Sequence, residues 1–551
     1  MMIRHGSVVA EAWWQPYAAN RPHMLYSLSK SFTSTAVGMA IAEGRLSLDD
    51  SLLSFFPDYI TPEIESNMSS VRVRHLLSMT TGHTSDTMPG IHQQGDGDWV
   101  RGFLSQPITR EPGTHFLYNT GASYMLSAIV QTVTGERLLD YLQPRLFHPL
   151  GITGATWEES PQGINTGGFG LSLRTEDIAK FGQLYLNGGK WNGVQLVPED
   201  WVQAATSMQT PTWSDGTDNP DWCQGYGYQF WRCRHDVYRG DGAFGQFCIV
   251  LPSHDAVIAM TSGSANMQGI LDEVWAHLLP ALGSPGTAVQ ENADQFDTHR
   301  ELTAKIQALQ IDLYTPPVSP VLPVLDVSQM APASSSDPAA HPASEARSGP
   351  GPAPQSGSRP EPGPAPQSGP RPEPESGRLS RAGSGVRAGS PSEVWSEAWP
   401  IAWSGAKFRF DPNPLYVTGV QFNFTADSFS LSFTTEDTDY TVTGEYGAWR
   451  VESAPEHGFL SLEGKSNALA VRGTWRSSDQ FQLILCYVET PFVYTVECTL
   501  HEESPETGGL AAAAAAPAAS RLPRTLSMTS SRNVHFGSPE APFVIHAVRE
   551  P

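Results

Sequence analysis

Residues 351–362 read GPAPQSGSRPEP and residues 363–374 read GPAPQSGPRPEP, one dodecapeptide written twice in succession. The repeat sits inside a longer tract, residues 332–391, built largely from Pro, Gly, Ser, Ala and Arg. Such a composition offers too little apolar surface to offset the entropy lost on ordering, so an extended, disordered linker is expected. A Pro-rich stretch can also dock in an aromatic groove of a partner, but nothing beyond composition points that way. The tract divides the 551 residues, and each side must then supply its own core.

On the N-terminal side, residues 1–285 mix helical and strand patterns punctuated by Gly and Pro, with enough apolar residues for one large globular unit. The stretch IRHGSVVAEAWW enters a hairpin almost at once, as expected when a domain's first helix lies upstream. Residues 286–331 form a connector in which Leu302, Ile306, Leu309 and Leu313 recur at helical spacing, predicting an amphipathic helix that packs back on the unit. On the C-terminal side, residues 392–503 alternate with period two through Val420, Phe422, Phe424, then Phe429, Leu431, Phe433, then Tyr440 and Val442. That pattern predicts a small antiparallel β domain of sandwich or barrel type. Residues 504–551, with AAAAAAPAAS, read as a low-complexity tail.

A net charge of -23 leaves no electrostatic footprint for nucleic acid or anionic lipid. No apolar run reaches the roughly 18 residues that cross a bilayer, and SVVA is too short for a signal-peptide core. The five cysteines are widely spaced, with no CxxC pair and no His/Cys cluster at metal-ligand spacing. A soluble, cytoplasmic protein without metal or cofactor is expected.

Chemistry is concentrated in YSLSKSF, residues 26–32. Ser-x-x-Lys occurs twice in the chain, at Ser27/Lys30 and at Ser404/Lys407. The second opens the β domain, where residues three apart face opposite sides of a strand and cannot meet. The first opens a segment with Leu28, Phe32, Val37, Met39 and Ile41, ending at Gly44, which reads as a helix from Ser27 to about Glu43. On a helix, positions three apart are neighbours, so the Lys30 amine falls beside the Ser27 hydroxyl. The helix N-terminus contributes unpaired N–H groups and its positive dipole end. A base within reach, a cation whose pKa falls on burial and an oxyanion donor are the requirements of an activated serine.

These residues, with RLSLDDSLLSFFPDY and VRVRHLLSMTTGH after them, resemble the serine β-lactamase and penicillin-binding superfamily in its class C-like branch. That branch also holds D-alanyl-D-alanine carboxypeptidases, carboxylesterases and 6-aminohexanoate-oligomer hydrolases. The resemblance continues through PGTHFLYNTGASYM, GGFGLSLRTEDIAKFGQLYLNGG and RGDGAFGQFCIVLP, spanning about residues 1–280 in the family's order. It implies an α/β (α+β) fold, an antiparallel sheet flanked by helices with a helical subdomain, followed by the linker and the β domain. It also implies that Tyr118 stands at the family's Tyr-x-Asn triplet, as the acid for the leaving group. Asn119 is shifted by one place from the family's Asn, and Thr120 occupies the old position. Both are candidates for binding a substrate amide.

The family's third element, a Lys or His before a small residue and Gly, is missing. Arg239-Gly240-Asp241-Gly242-Ala243 stands there instead. In β-lactamases that cation helps hold the substrate carboxylate, which a buried Asp241 would repel. Neutral esters or linear amides therefore fit better than β-lactams. Arg239 either replaces the charge or lies on the surface. Gly242 permits close approach, and the Ala243 N–H is the implied second oxyanion donor opposite the Ser27 N–H.

The resemblance thus implies a serine hydrolase acting on a small ester or amide, with the role of base divided between Lys30 and Tyr118. Two rivals stand beside it. One is a catalytically impaired ligand-binding protein. The other is a hydrolase tethered by its β domain to a macromolecular partner or polymer.

Overall fold

The computed structural model describes residues 1–93, 95–212, 219–283, 295–309, 311, 403–413, 415–436, 438–454, 468–501, 525–535 and 542–550. The linker expected over 332–391 and the alanine-rich part of the tail lie outside the described residues. Among the described residues no helix is long and apolar enough to cross a membrane. The five cysteines are free, and all but the half-buried Cys223 are buried.

Runs such as FCIVL and AVIAM are apolar at every position, a pattern that demands cover on both faces of a sheet. They occupy the middle of a six-stranded antiparallel sheet with the order Ser7–Ala10, Met2–Arg4, Ala256–Met260, Gln246–Leu251, Tyr238–Gly242, Trp231–Arg232. Its opening hairpin turns through His5 and Gly6, both in the left-handed conformation that a tight two-residue turn needs. Cys248, Val250, Val257 and Ala259 face the main core, whereas Phe247, Ile249 and Ile258 pack with Leu271, Val274 and Trp275. The helix Thr175–Leu186 comes so close to the first face that a Cβ on Gly182 would meet Val257 and Cys248.

The helix expected from Ser27 to about Glu43 is observed as a 3-10 turn, Tyr26–Leu28, leading into an α-helix, Ser29–Ala42. It is not amphipathic, because Ser29 through Ala40 are buried all round. Phe32 stacks on Phe181 at 3.9 Å, and the buried hydroxyls find acceptors: Ser31 on the Gln229 carbonyl, Thr33 on the Gly167 carbonyl. Satisfied hydroxyls let a polar-looking helix form the centre of a domain. The helix Gln295–Gln307 is present, but Leu302 is 50% exposed, so the stripe expected to pack is only partly covered.

The β domain is a closed barrel. Strands run in the order Asp439–Tyr446, Ser428–Thr435, Val417–Phe424, Lys407–Phe410, Phe543–Arg549, Thr525–Arg532, Val493–His501, Gln480–Tyr487, Ala468–Ser477. A parallel pairing of Glu445 with Arg472 and Tyr446 with Gly473 closes the ring. Val420, Phe422, Phe424, Phe429, Leu431, Phe433 and Val442 point inward as their alternation predicts, around Trp403, Trp475 and Phe481. The expected boundary at 503 is corrected, since the tail supplies the strands Thr525–Arg532 and Phe543–Arg549. Leu526, Met528, Ile545 and Ala547 carry the same alternation, diluted by Ser, Thr and His on the outer face.

The barrel rests directly on the first domain. The Met24 N–H donates to the Glu489 carbonyl at 2.8 Å, the Tyr17 hydroxyl to the Thr490 carbonyl at 2.9 Å, and Asn533 Nδ2 to the Gly263 carbonyl at 3.2 Å.

Candidate active site

The 3-10 turn sets Ser27 at the surface of the domain while the helix behind it is buried. Lys30, one turn on, has no route to solvent at 1% exposure. Its Nζ lies 3.0 Å from Ser27 Oγ and donates to the Gly168 carbonyl at 2.7 Å. Burial brings the Lys30 amine down to about 7, with the negative charges of Asp86 and Asp241 opposing part of that shift. An amine at that value is partly neutral at physiological pH and can accept a proton.

Tyr118 closes the third side. Its ring lies 4.9 Å from Lys30 Nζ and stacks on Trp231 at 5.6 Å. Burial, with Asp241 adding to it, pushes the Tyr118 phenol far above its ordinary value, so it stays protonated. Opposite Ser27, the strand Tyr238–Gly242 packs against the 3-10 turn so closely that a Cβ on Gly242 would meet the Leu25 carbonyl at 2.0 Å. Ala243 follows directly and is partly exposed. Among the described residues, no backbone acceptor takes the N–H of Ser27 or of Ala243. A hydroxyl, a lowered amine and a protonated phenol are thus brought together around Lys30.

Of the remaining sequence candidates, Asn119 and Arg239 are placed differently from expectation, while Thr120 is half-buried at the start of its helix. Asn119 is fully buried, its Oδ1 accepting from the Thr87 N–H and hydroxyl at 3.2 and 2.7 Å. Its amide ties down the preceding loop and has no surface for a substrate. The Thr120 N–H donates to Asp86 Oδ1 at 3.0 Å, which caps the helix Thr120–Thr134. Arg239 is neither on the surface nor open to a substrate. It is 0% exposed, donates through Nη1 to the Asp221 carbonyl at 2.7 Å and to Cys233 Sγ at 2.8 Å, and lies over the Trp222 ring at 4.3 Å. Its Nε and Nη2 both reach Asp241 Oδ2, at 3.0 and 2.9 Å. Asp241 is therefore half of a buried ion pair; burial raises its pKa and Arg239 opposes the rise. Gly242 serves close approach to the Leu25 backbone rather than to a ligand.

Four contributors were not legible in the sequence. Asp86 bears electrostatically on Lys30, Gly168 supplies a carbonyl, and Trp231 is the stacking partner of Tyr118. Gln229 accepts from Ser123 and donates to the Leu76 and Leu77 carbonyls, joining three segments behind the helix. Each acts through a long-range contact, for which no local pattern exists.

Similarity to known proteins points to one family. A family model described as Beta-lactamase matches residues 1–278. The 6-aminohexanoate-dimer hydrolase of Paenarthrobacter ureafaciens is 26% identical over 218 residues, covering 37% of this chain and 55% of that protein. The lovastatin esterase of Penicillium rubens is 27% identical over 161 residues, covering 25% and 40%. The Beta-lactamase of Escherichia coli K12 is 25% identical over 236 residues, covering 38% and 61%. The chain thus spans about half the length of the curated relatives it matches.

Proposed function

The chain belongs to the beta-lactamase family, whose relatives include amide and ester hydrolases, and from that premise we propose that it cleaves a small neutral ester or linear amide through an acyl-enzyme at Ser27. The observation that carries the proposal is the 3.0 Å approach of a fully buried Lys30, lowered to about 7, to the Ser27 hydroxyl.

The neutral Lys30 amine keeps a hydrogen on the Gly168 carbonyl and takes the Ser27 proton with its lone pair. Ser27 Oγ attacks the substrate carbonyl, and the Ser27 and Ala243 N–H groups receive the oxyanion. Tyr118, protonated and with its ring 4.9 Å from Lys30 Nζ, passes a proton to the departing alcohol or amine and recovers one from Lys30. Water then attacks the acyl-enzyme by the same route in reverse. The raised phenol of Tyr118 supports the reading of Lys30 as base and Tyr118 as acid.

Substrate class follows from the charge balance. The place where relatives of the resembling branch carry a Lys or His for a substrate carboxylate is filled by the Arg239–Asp241 pair, which is already neutralised. A neutral substrate meets no unpaired charge there. The test is the intact mass of wild type and Ser27→Ala after brief exposure to p-nitrophenyl butyrate, alongside nitrophenolate release. A butyryl adduct and burst in wild type alone is expected. No adduct in either protein would leave a ligand-binding fold, and efficient turnover of cephalosporins would overturn the substrate class.

A further inference from the structure

Two residues flanking the site have backbones that side chains rarely adopt. Tyr26, directly before Ser27, has φ 49°, and Phe244, directly after Ala243, has φ 67°. Bulky residues hold such angles only where surrounding structure enforces them. Both rings turn toward each other and pack edge to face at 5.5 Å.

What lies against this pair belongs to the barrel. Phe244 is part of the barrel's core cluster, with Tyr26 and Ala243 packed beside it. The Phe492 ring, 8% exposed, meets Phe244 at 6.2 Å. The Arg532 guanidinium lies 5.1 Å from the Phe492 ring and 5.9 Å from that of Tyr494. Burial raises the Tyr26 phenol, and Glu158, Arg532 and Tyr494 all bear on it electrostatically. The segment carrying Phe492 is pinned residue by residue: the Glu489 carbonyl takes the Met24 N–H, the Thr490 carbonyl takes the Tyr17 hydroxyl, and the Pro491 carbonyl takes Asn533 Nδ2. Asn533 Nδ2 also donates to the Gly263 carbonyl.

We infer that the barrel is a working part of the catalytic centre, its Phe492 corner clamping Tyr26 against Phe244 and so holding the Ser27 and Ala243 N–H groups convergent on the oxyanion. The inference rests on the reading of Ser27 as nucleophile given above. Phe492 touches no reacting atom and is a positioning residue. Its contribution is realised in the transition state, where the carbonyl oxygen becomes an anion, and so belongs in kcat rather than KM.

The experiment uses the full chain with Phe492→Ala, Phe492→Leu and Phe492→Tyr. It measures steady-state hydrolysis of p-nitrophenyl butyrate, inhibition by phenylboronic acid, and thermal midpoint. Phenylboronic acid forms a tetrahedral adduct on serine that places an oxygen where the oxyanion develops. Losing one oxyanion donor costs on the order of a hundredfold or more in kcat, so misaligning two without removing either is expected to cost roughly tenfold. Phe492→Ala should lose that in kcat with KM within about twofold, and the boronate inhibition constant should rise in parallel. Phe492→Tyr should recover most of the activity and Phe492→Leu should fall between. If Phe492→Ala does not fold, the Leu and Tyr variants decide the matter. Unchanged kcat and boronate affinity in folded variants overturns the inference, as does a rise in KM alone, which would make Phe492 a wall of the substrate pocket. Absence of a Ser27 adduct in wild type overturns the underlying reading instead, and this inference with it.

Discussion

Lys30 is a lysine kept partly neutral by enclosure, and its titration gives the sharpest single-residue expectation. The neutral amine is the working base, so kcat/KM for p-nitrophenyl butyrate should climb with pH and level off above about 7. Lys30→Ala should remove the limb and lower the rate by a factor on the order of a hundred or more. The same shift enters stability with a definite sign. Between about 7 and the ordinary 10.5, the unfolded chain holds a proton that the folded chain has lost, so stability rises with pH across that window. Asp241 gives a second expectation. Asp241→Asn leaves Arg239, 0% exposed, with no carboxylate, and should cost about 3–5 kcal/mol, read as a fall in unfolding midpoint in denaturant. Retained stability in that variant would mean that Arg239 is satisfied by Cys233 and the Asp221 carbonyl alone. The identity of both residues was plain in the sequence, and a buried Asp241 was weighed there, but the burial of Arg239 against it was not legible, because RGDG alternates like any strand end.

At the scale of elements, the catalytic corner is made by two segments that approach without room for a side chain between them. The Tyr26–Leu28 turn and the strand Tyr238–Gly242 meet where a Cβ on Gly242 would stand 2.0 Å from the Leu25 carbonyl. Gly242→Ala must therefore push the strand away from the turn, carrying Ala243 with it. Activity should be lost even where the folded protein survives, and kinetics beside circular dichroism of the purified variant checks this. Native activity in Gly242→Ala would show that the strand can shift without consequence for the site. The helix Ser29–Ala42 teaches a related point. Its Ser-x-x-Lys spacing was enough to place Lys30 beside Ser27, since helical periodicity is local. Its burial on every side came with hydrogen-bond partners on Gly167, Gln229 and Tyr185, which arrive from far along the chain. Asn119 errs in the opposite direction, being a plausible ligand by its neighbour Tyr118 and a buried strut by its contacts.

At the scale of the whole molecule, the barrel and the first domain share a backbone hydrogen bond, side-chain bonds to backbone carbonyls and an aromatic contact rather than a bare tether. Domains coupled this way should unfold together, so calorimetry of the full chain is expected to show one cooperative transition, with the calorimetric and van't Hoff enthalpies close. Two well-separated transitions would mean that the contacts through Met24, Tyr17 and Asn533 add little. The sequence by itself determined the partition into two folded regions, the strand alternation of the second, the helix that brings Ser27 and Lys30 together, and the resemblance that the family match bears out. All of these rest on composition or on periods of two and 3.6 residues, which are written locally. Only the tertiary structure decided that Arg239 and Asp241 neutralise each other, that Asn119 is a strut, that residues beyond 503 supply two strands of the barrel, and that Phe492 lies against Phe244. Those outcomes depend on which distant surfaces exclude water from one another, and burial of that kind leaves no period in the chain to be read.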